Sequence, residues 1–132
     1  MDEGTIPLFV YGTLMAGEPA HPLLAAAIVR STPARLAGAV LHDLGAYPAA
    51  VVGTGDVYGE VHWLTAAAFD AVIARLDAYE GEKYRRLCCP VWPHDGAPAI
   101  HAWVYLAEPA AMARYPVIAT GRWPGVRHAR ST

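Results

Sequence analysis

The chain has 132 residues, 55% of them hydrophobic, with mean hydropathy +0.23, a net charge of −2 and a pI near 6.3. That length suits one domain with a real core and excludes two, and no apolar run reaches the roughly 18 residues of a membrane span. The basic stretches, KYRR at 83–86 and RHARST at the end, are too short for the basic patch that would make nucleic acid the partner.

The acidic start, MDEGTIP, lacks the basic residues and apolar stretch of a secretory signal, so a cytoplasmic protein is expected. A first strand, Leu8–Tyr11, runs into YGTLMAG. Gly12 lets the backbone turn sharply and lets a ligand approach with no Cβ in the way. Such a loop, opening toward a helix, can aim several amide protons at one anion. It is not a phosphate-binding Walker loop, because no Lys-Ser or Lys-Thr follows. Nor is it the dinucleotide fingerprint, because there is no G-x-G. An amide cradle for a small carboxylate and a purely structural turn both remain open.

A short helix is expected over His21–Val29. Strands follow at Arg35–Leu41, Val57–Leu64, Tyr84–Trp92 and Ile100–Leu106, with turn signals at GAYP, VGTGD and PHDGAP. The clearest helix is TAAAFDAVIARLDAYEG. Thr65 can cap its N-terminus, Phe69, Val72, Ile73 and Leu76 form one apolar stripe, and Gly81 can end it. AEPAAMARY predicts a third helix, with Pro109 in its first turn. The pattern is a β-rich α+β single domain over residues 1–132, without the regular alternation of a doubly wound sheet. The adjacent Cys88 and Cys89 point to opposite faces of a strand, which makes a poor disulfide and favours half-buried packing over a reactive thiol. The six histidines are scattered, with no H-x-H or H-E-x-x-H, so nothing points to a metal hydrolase.

Glu80 stands at the end of the long helix, where the helix dipole disfavours a carboxylate. Burial would disfavour it further. Both effects would raise its pKa toward that of a group able to take and return a proton. The alternative is a solvated glutamate on a turn, as Glu82 is expected to be. Tyr11, Tyr47, Tyr58, Tyr79, Tyr84 and Tyr105 could each line a pocket or fill half-buried core. Arg85 and Arg86 alternate along their strand, one toward a pocket or both in surface ion pairs.

Together these stretches resemble the gamma-glutamylcyclotransferase superfamily, in particular its gamma-glutamylamine cyclotransferase-like branch. The resemblance runs in order through FVYGTLMAGEPAHPLL, LHDLGAYPAAVVG with Gly45, Tyr47 and Pro48, VYGEVHWL with Gly59 and Glu60, LDAYEGEKYRRLCCPV, and finally AWVYL and IATGRW. It implies a small mixed β-barrel with flanking helices and a pocket at one barrel mouth. It implies Glu80 as the catalytic acid/base, with Tyr11, Gly12, Thr13, Leu14, Tyr84 and Tyr105 binding the substrate. The implied reaction closes a gamma-glutamyl amine or amide into 5-oxoproline and frees the amine. The partner is then a small gamma-glutamyl molecule, and no metal or other cofactor is called for. A non-catalytic binding protein on the same fold is the alternative. Two departures stand out: His21 replaces an asparagine common after the first loop, and Arg122 replaces an acidic residue between Gly121 and Trp123. The tail RHARST has the composition of a frayed terminus. No oligomeric state follows from the sequence, because apolar surface and core read alike.

Overall fold

The computed structural model describes residues 6–124. Five strands, β1 (Leu8–Val10), β2 (Ile28–Asp43), β3 (Pro48–Leu64), β4 (Tyr84–Pro93) and β5 (Ile100–Ala107), close into a barrel in the order β1-β3-β2-β4-β5. β5 meets β1 and β3 in parallel, and the other pairings are antiparallel. The helix α1 (Ala66–Glu80) crosses from β3 to β4, and a single turn, α2 (Pro109–Met112), follows β5. This is the expected α+β mixed barrel with flanking helices.

Period-two alternation explains how β1 holds the structure together. Phe9 and Tyr11 join the cluster of Leu36, Leu41, Val57, Val61, Val104 and Trp123. Leu8 and Val10 join a second cluster with Leu14, Leu24, Leu64, Val72 and Leu76. Thus β1 is packed on both faces, and α1 lies over one of them. α1 behaves as its sequence predicts: the Thr65 hydroxyl accepts from the Ala68 amide at 3.3 Å, and Val72, Ile73 and Leu76 are buried. Gly81, at φ 74°, ends the helix with its amide on Asp77 O.

Three expectations need correction. His21–Val29 is not one helix but two 3-10 turns, His21–Leu23 and Ala25–Ala27, with Ile28 and Val29 already in β2. The tight packing of Leu24 and Ala27 against the second cluster favours short turns over a continuous helix. The VGTGD segment is no turn but lies inside β3, opposite a register shift between Ala37 and Ala39, where Gly38 takes φ 75°. Its glycines serve a bulge that bends the long β2–β3 hairpin round the barrel. The AEPAAMARY helix is one turn only. In addition, Cys88 is exposed and only Cys89 is partly buried.

The hairpin turns at Leu44–Tyr47, where Gly45 has φ 99° and Asp43 accepts from its amide at 2.7 Å. Trp123 enters the barrel cluster and donates to Glu18 at 3.2 Å, tying the closing segment to the first loop. Arg122 lies 4.1 Å over the Tyr58 ring. The tail RHARST and the residues before Ile6 lie outside the described residues.

Candidate active site

The loop after β1, the end of α1 and the Tyr47–Pro48 corner surround a cavity of about 370 Å³, a size suited to a small molecule. Tyr11, Gly12, Thr13, Leu14, Glu80, Tyr84 and Tyr105 all line it. The chain positions that reading the sequence singled out, spread over 95 residues, therefore meet at one place.

Gly12 is required there by contact. A Cβ at this position would stand 2.7 Å from Cγ and Cδ of Pro48, well inside van der Waals contact. The loop then folds on itself: Met15 N donates to Gly12 O and Ala20 N to Thr13 O. Among the described residues, the amides of Gly12, Thr13 and Leu14 have no acceptor. A row of unpaired amide donors in a cavity wall suits a carboxylate or a developing oxyanion.

Glu80 lines the same cavity from the last turn of α1. No hydrogen bond from a described residue reaches its carboxylate, and α1 has no basic residue in its last turn. Burial therefore acts uncompensated and pushes the carboxyl from 4.5 up to about 7. Such a group is part ionised near neutrality, as proton transfer in both directions requires.

The tyrosines are held rather than loose. Tyr11 donates to Tyr105 O at 2.6 Å and accepts from Ala50 N at 3.2 Å. Its hydroxyl is thus committed to the backbone, and its ring supplies wall. Tyr84 donates to Pro48 O at 2.9 Å, fixing the corner against which Gly12 packs. Tyr105 donates to Asp77 at 2.7 Å, and Asp77 also takes Arg86 in a two-pronged pair at 2.9 and 3.1 Å. Arg86 therefore serves a salt bridge beside the site, while Arg85 is exposed. Burial first, then nearby anionic groups including Glu80, holds the Tyr84 and Tyr105 hydroxyls well above the ordinary tyrosine range, so both stay protonated donors.

The sequence offered Tyr47 and Tyr79 only as tyrosines that could line a pocket or fill core, and it left Asp77 unmarked. Tyr79 meets Thr13 at 3.1 Å across the cavity, and Tyr47 takes Lys83 Nζ at 2.5 Å at its rim. Asp77, which anchors Tyr105, was detectable only as part of the LDAYEG stretch. Tyr58 lies elsewhere, beneath Arg122. Among the described residues no three His, Cys, Asp or Glu side chains are placed to hold a metal ion.

A small barrel with a buried carboxylate at its mouth defines a class, the gamma-glutamylcyclotransferase fold. The family model described as "Gamma-glutamyl cyclotransferase, AIG2-like" matches residues 8–125, and the chain belongs to this family. It is 33% identical over 103 residues to a Vibrio cholerae protein named "Putative gamma-glutamylcyclotransferase", covering 76% of this chain and 81% of that one. Among solved structures it is similar to YkqA from Bacillus subtilis, with TM-score 0.69 and 29% identity. That match takes in 89% of this chain but only 39% of YkqA. A mouse AIG2-like protein shares the fold at TM-score 0.62 and 19% identity, with 84% of each chain covered.

Proposed function

We propose that the protein closes a gamma-glutamyl amine or amide into 5-oxoproline and releases the free amine, with Glu80 as the proton-transfer group. The observation that carries this reading is one cavity lined both by a carboxylate that burial pushes up to about 7 and by Gly12, Thr13 and Leu14, whose amides have no acceptor among the described residues. Family membership supports the same reaction class.

The chemistry is internal. The substrate's α-amine attacks its own γ-carbonyl once the chain is folded back, so holding that conformer supplies much of the acceleration. Glu80 takes the proton from the α-ammonium. Amides of Gly12, Thr13 and Leu14 hold the substrate carboxylate or the oxyanion of the tetrahedral intermediate. The intermediate collapses, the C–N bond to the leaving amine breaks, and Glu80 returns the proton to that nitrogen. Tyr11, Tyr84 and Tyr105 shape the walls that hold the glutamyl head. Lys83 and Tyr47 stand at the rim, where the leaving group would extend. A cytoplasmic setting, where such small amides and peptides occur, belongs to the same reading.

The test is 5-oxoproline release from a panel of gamma-glutamyl amines and dipeptides by the wild type and Glu80→Gln. We expect turnover by the wild type that falls at least 100-fold in the variant, the size of a general acid/base contribution. Equal turnover by both proteins would remove Glu80 from the mechanism. No turnover by the wild type across the panel would favour the binding-protein alternative.

A further inference from the structure

On the outer face of the barrel, away from the first cavity, a second hollow of about 360 Å³ is lined by Ser31, Glu60, His62, His21 and apolar residues including Ile28 and Pro33. Within it three side chains form a chain of contacts. Ser31 Oγ is 2.6 Å from His62 Nδ1, and His62 Nε2 is 3.1 Å from Glu60 Oε1. We propose that Ser31, His62 and Glu60 form a second catalytic site, one that hydrolyses small apolar acyl esters through an acyl-Ser31 intermediate.

The placement follows from the sheet. Pro33 O accepts from His94 N on the side away from β3. The pleat then turns the backbone of Ser31, two residues earlier, away from β3 as well. Ser31 therefore faces His62 in a pair without mutual backbone hydrogen bonds, the closer kind of cross-strand pair. Among the described residues β4 pairs with β2 at Ala34 and Arg35, and no strand pairs with β2 on that side at Ser31. The amide of Ser31 points to that side and, among the described residues, is left as one donor for an oxyanion.

Ser31 is exposed, His62 is 1% exposed, and the Glu60 side chain is 27% exposed. The segment carrying Ala16, His21 and Ile28 covers His62, and the two imidazole rings lie 5.7 Å apart. His21 is committed to Leu14 O through Nδ1 at 2.9 Å. The His62–Glu60 contact is bent rather than a well-aligned hydrogen bond, which leaves a fully buried ring nitrogen with no better partner. A buried polar atom in this condition calls for a reason. An imidazolium formed during catalysis supplies one, because the carboxylate then pairs with a charge. Burial alone would raise Glu60, but the nearby His62 ring and the hydrogen bond from Ala16 N outweigh it and hold its carboxyl below the usual value.

The step balances without further reagents than ester and water. Ser31 Oγ bonds to the carbonyl carbon while its proton passes to His62 Nδ1, and Glu60 pairs with the imidazolium at Nε2. The ester C–O bond breaks and His62 protonates the departing alkoxide. Water then repeats the sequence and releases the carboxylic acid.

The test treats the full chain at pH 8 with an alkyl fluorophosphonate and maps the adduct by mass spectrometry, with p-nitrophenyl acetate hydrolysis followed alongside. Expected is one adduct, on Ser31, and hydrolysis that Ser31→Ala abolishes. His62→Gln should slow both by about 100-fold or more. Glu80→Gln should label at the wild-type rate, which separates this site from the cyclisation. Should His62→Gln not fold, the wild-type labelling rate against pH decides. A rise to a plateau, from one ionising base, supports the relay, and a rate that climbs in proportion to hydroxide overturns it. An absence of adduct on Ser31, or equal rates in a folded His62→Gln, also overturns it.

Discussion

Replacing Glu80 with Gln keeps the side chain's shape and removes its charge, so its effect on stability reads the burial of that charge alone. The folded protein holds the Glu80 proton up to about pH 7, against 4.5 for the free side chain. Between these two values the native state binds more protons than the unfolded chain, so stability falls as pH rises through that window and levels off above it. At 1.36 kcal/mol per pH unit the full difference is about 3 kcal/mol. Water at the open side of the cavity reduces this, leaving about 2–3 kcal/mol as the penalty carried at pH 8. Glu80→Gln carries no such penalty. In urea unfolding it should match the wild type near pH 4.5 and exceed it at pH 8, with a midpoint higher by about 1 M. Two curves that run parallel from pH 4.5 to 8.5 would refute the reasoning, because Glu80 would then ionise as it does in water. A gain in stability on removing a functional group is the trade expected where a site keeps a strained charge.

Two further substitutions separate site from scaffold. Gly12→Ala puts a methyl 2.7 Å from Pro48 and must push the loop aside. It should lower kcat/KM for 5-oxoproline release by about 10- to 100-fold and cost about 1–3 kcal/mol in urea unfolding. Thr65→Ala removes the cap on Ala68 N. It should cost about 1 kcal/mol, seen as a Tm lower by a few degrees, with kcat/KM within twofold of wild type.

Much of this was legible in the sequence because the signals are local. The apolar stripe of α1, its threonine cap and its glycine stop act within four residues, and the helix forms where they place it. The place of Glu80 at the end of α1 was legible for the same reason, while the burial that raises its carboxyl was not. The long β2–β3 hairpin was not. Its bulge reads as a turn in VGTGD, because glycines that bend a strand and glycines that reverse a chain look alike until the partner strand is known. The 21–27 segment failed as a helix because its apolar residues answer to packing over β1 and β3 rather than to a helical stripe. The tyrosine roles were the least legible. That Tyr11 spends its hydroxyl on Ala50 and Tyr105, while Tyr79 meets Thr13, depends on contacts between residues 39 to 94 positions apart.

The most direct test of the central claim is the pH dependence of kcat/KM for 5-oxoproline formation by the wild type, from pH 5.5 to 8. A base of pKa about 7 in the free enzyme predicts a rate that climbs nearly tenfold per pH unit at the acid end and bends over close to pH 7. A profile flat between pH 5.5 and 7.5 would contradict it, because the group that moves the proton would then already be ionised, and Glu80 in this cavity would not be that group.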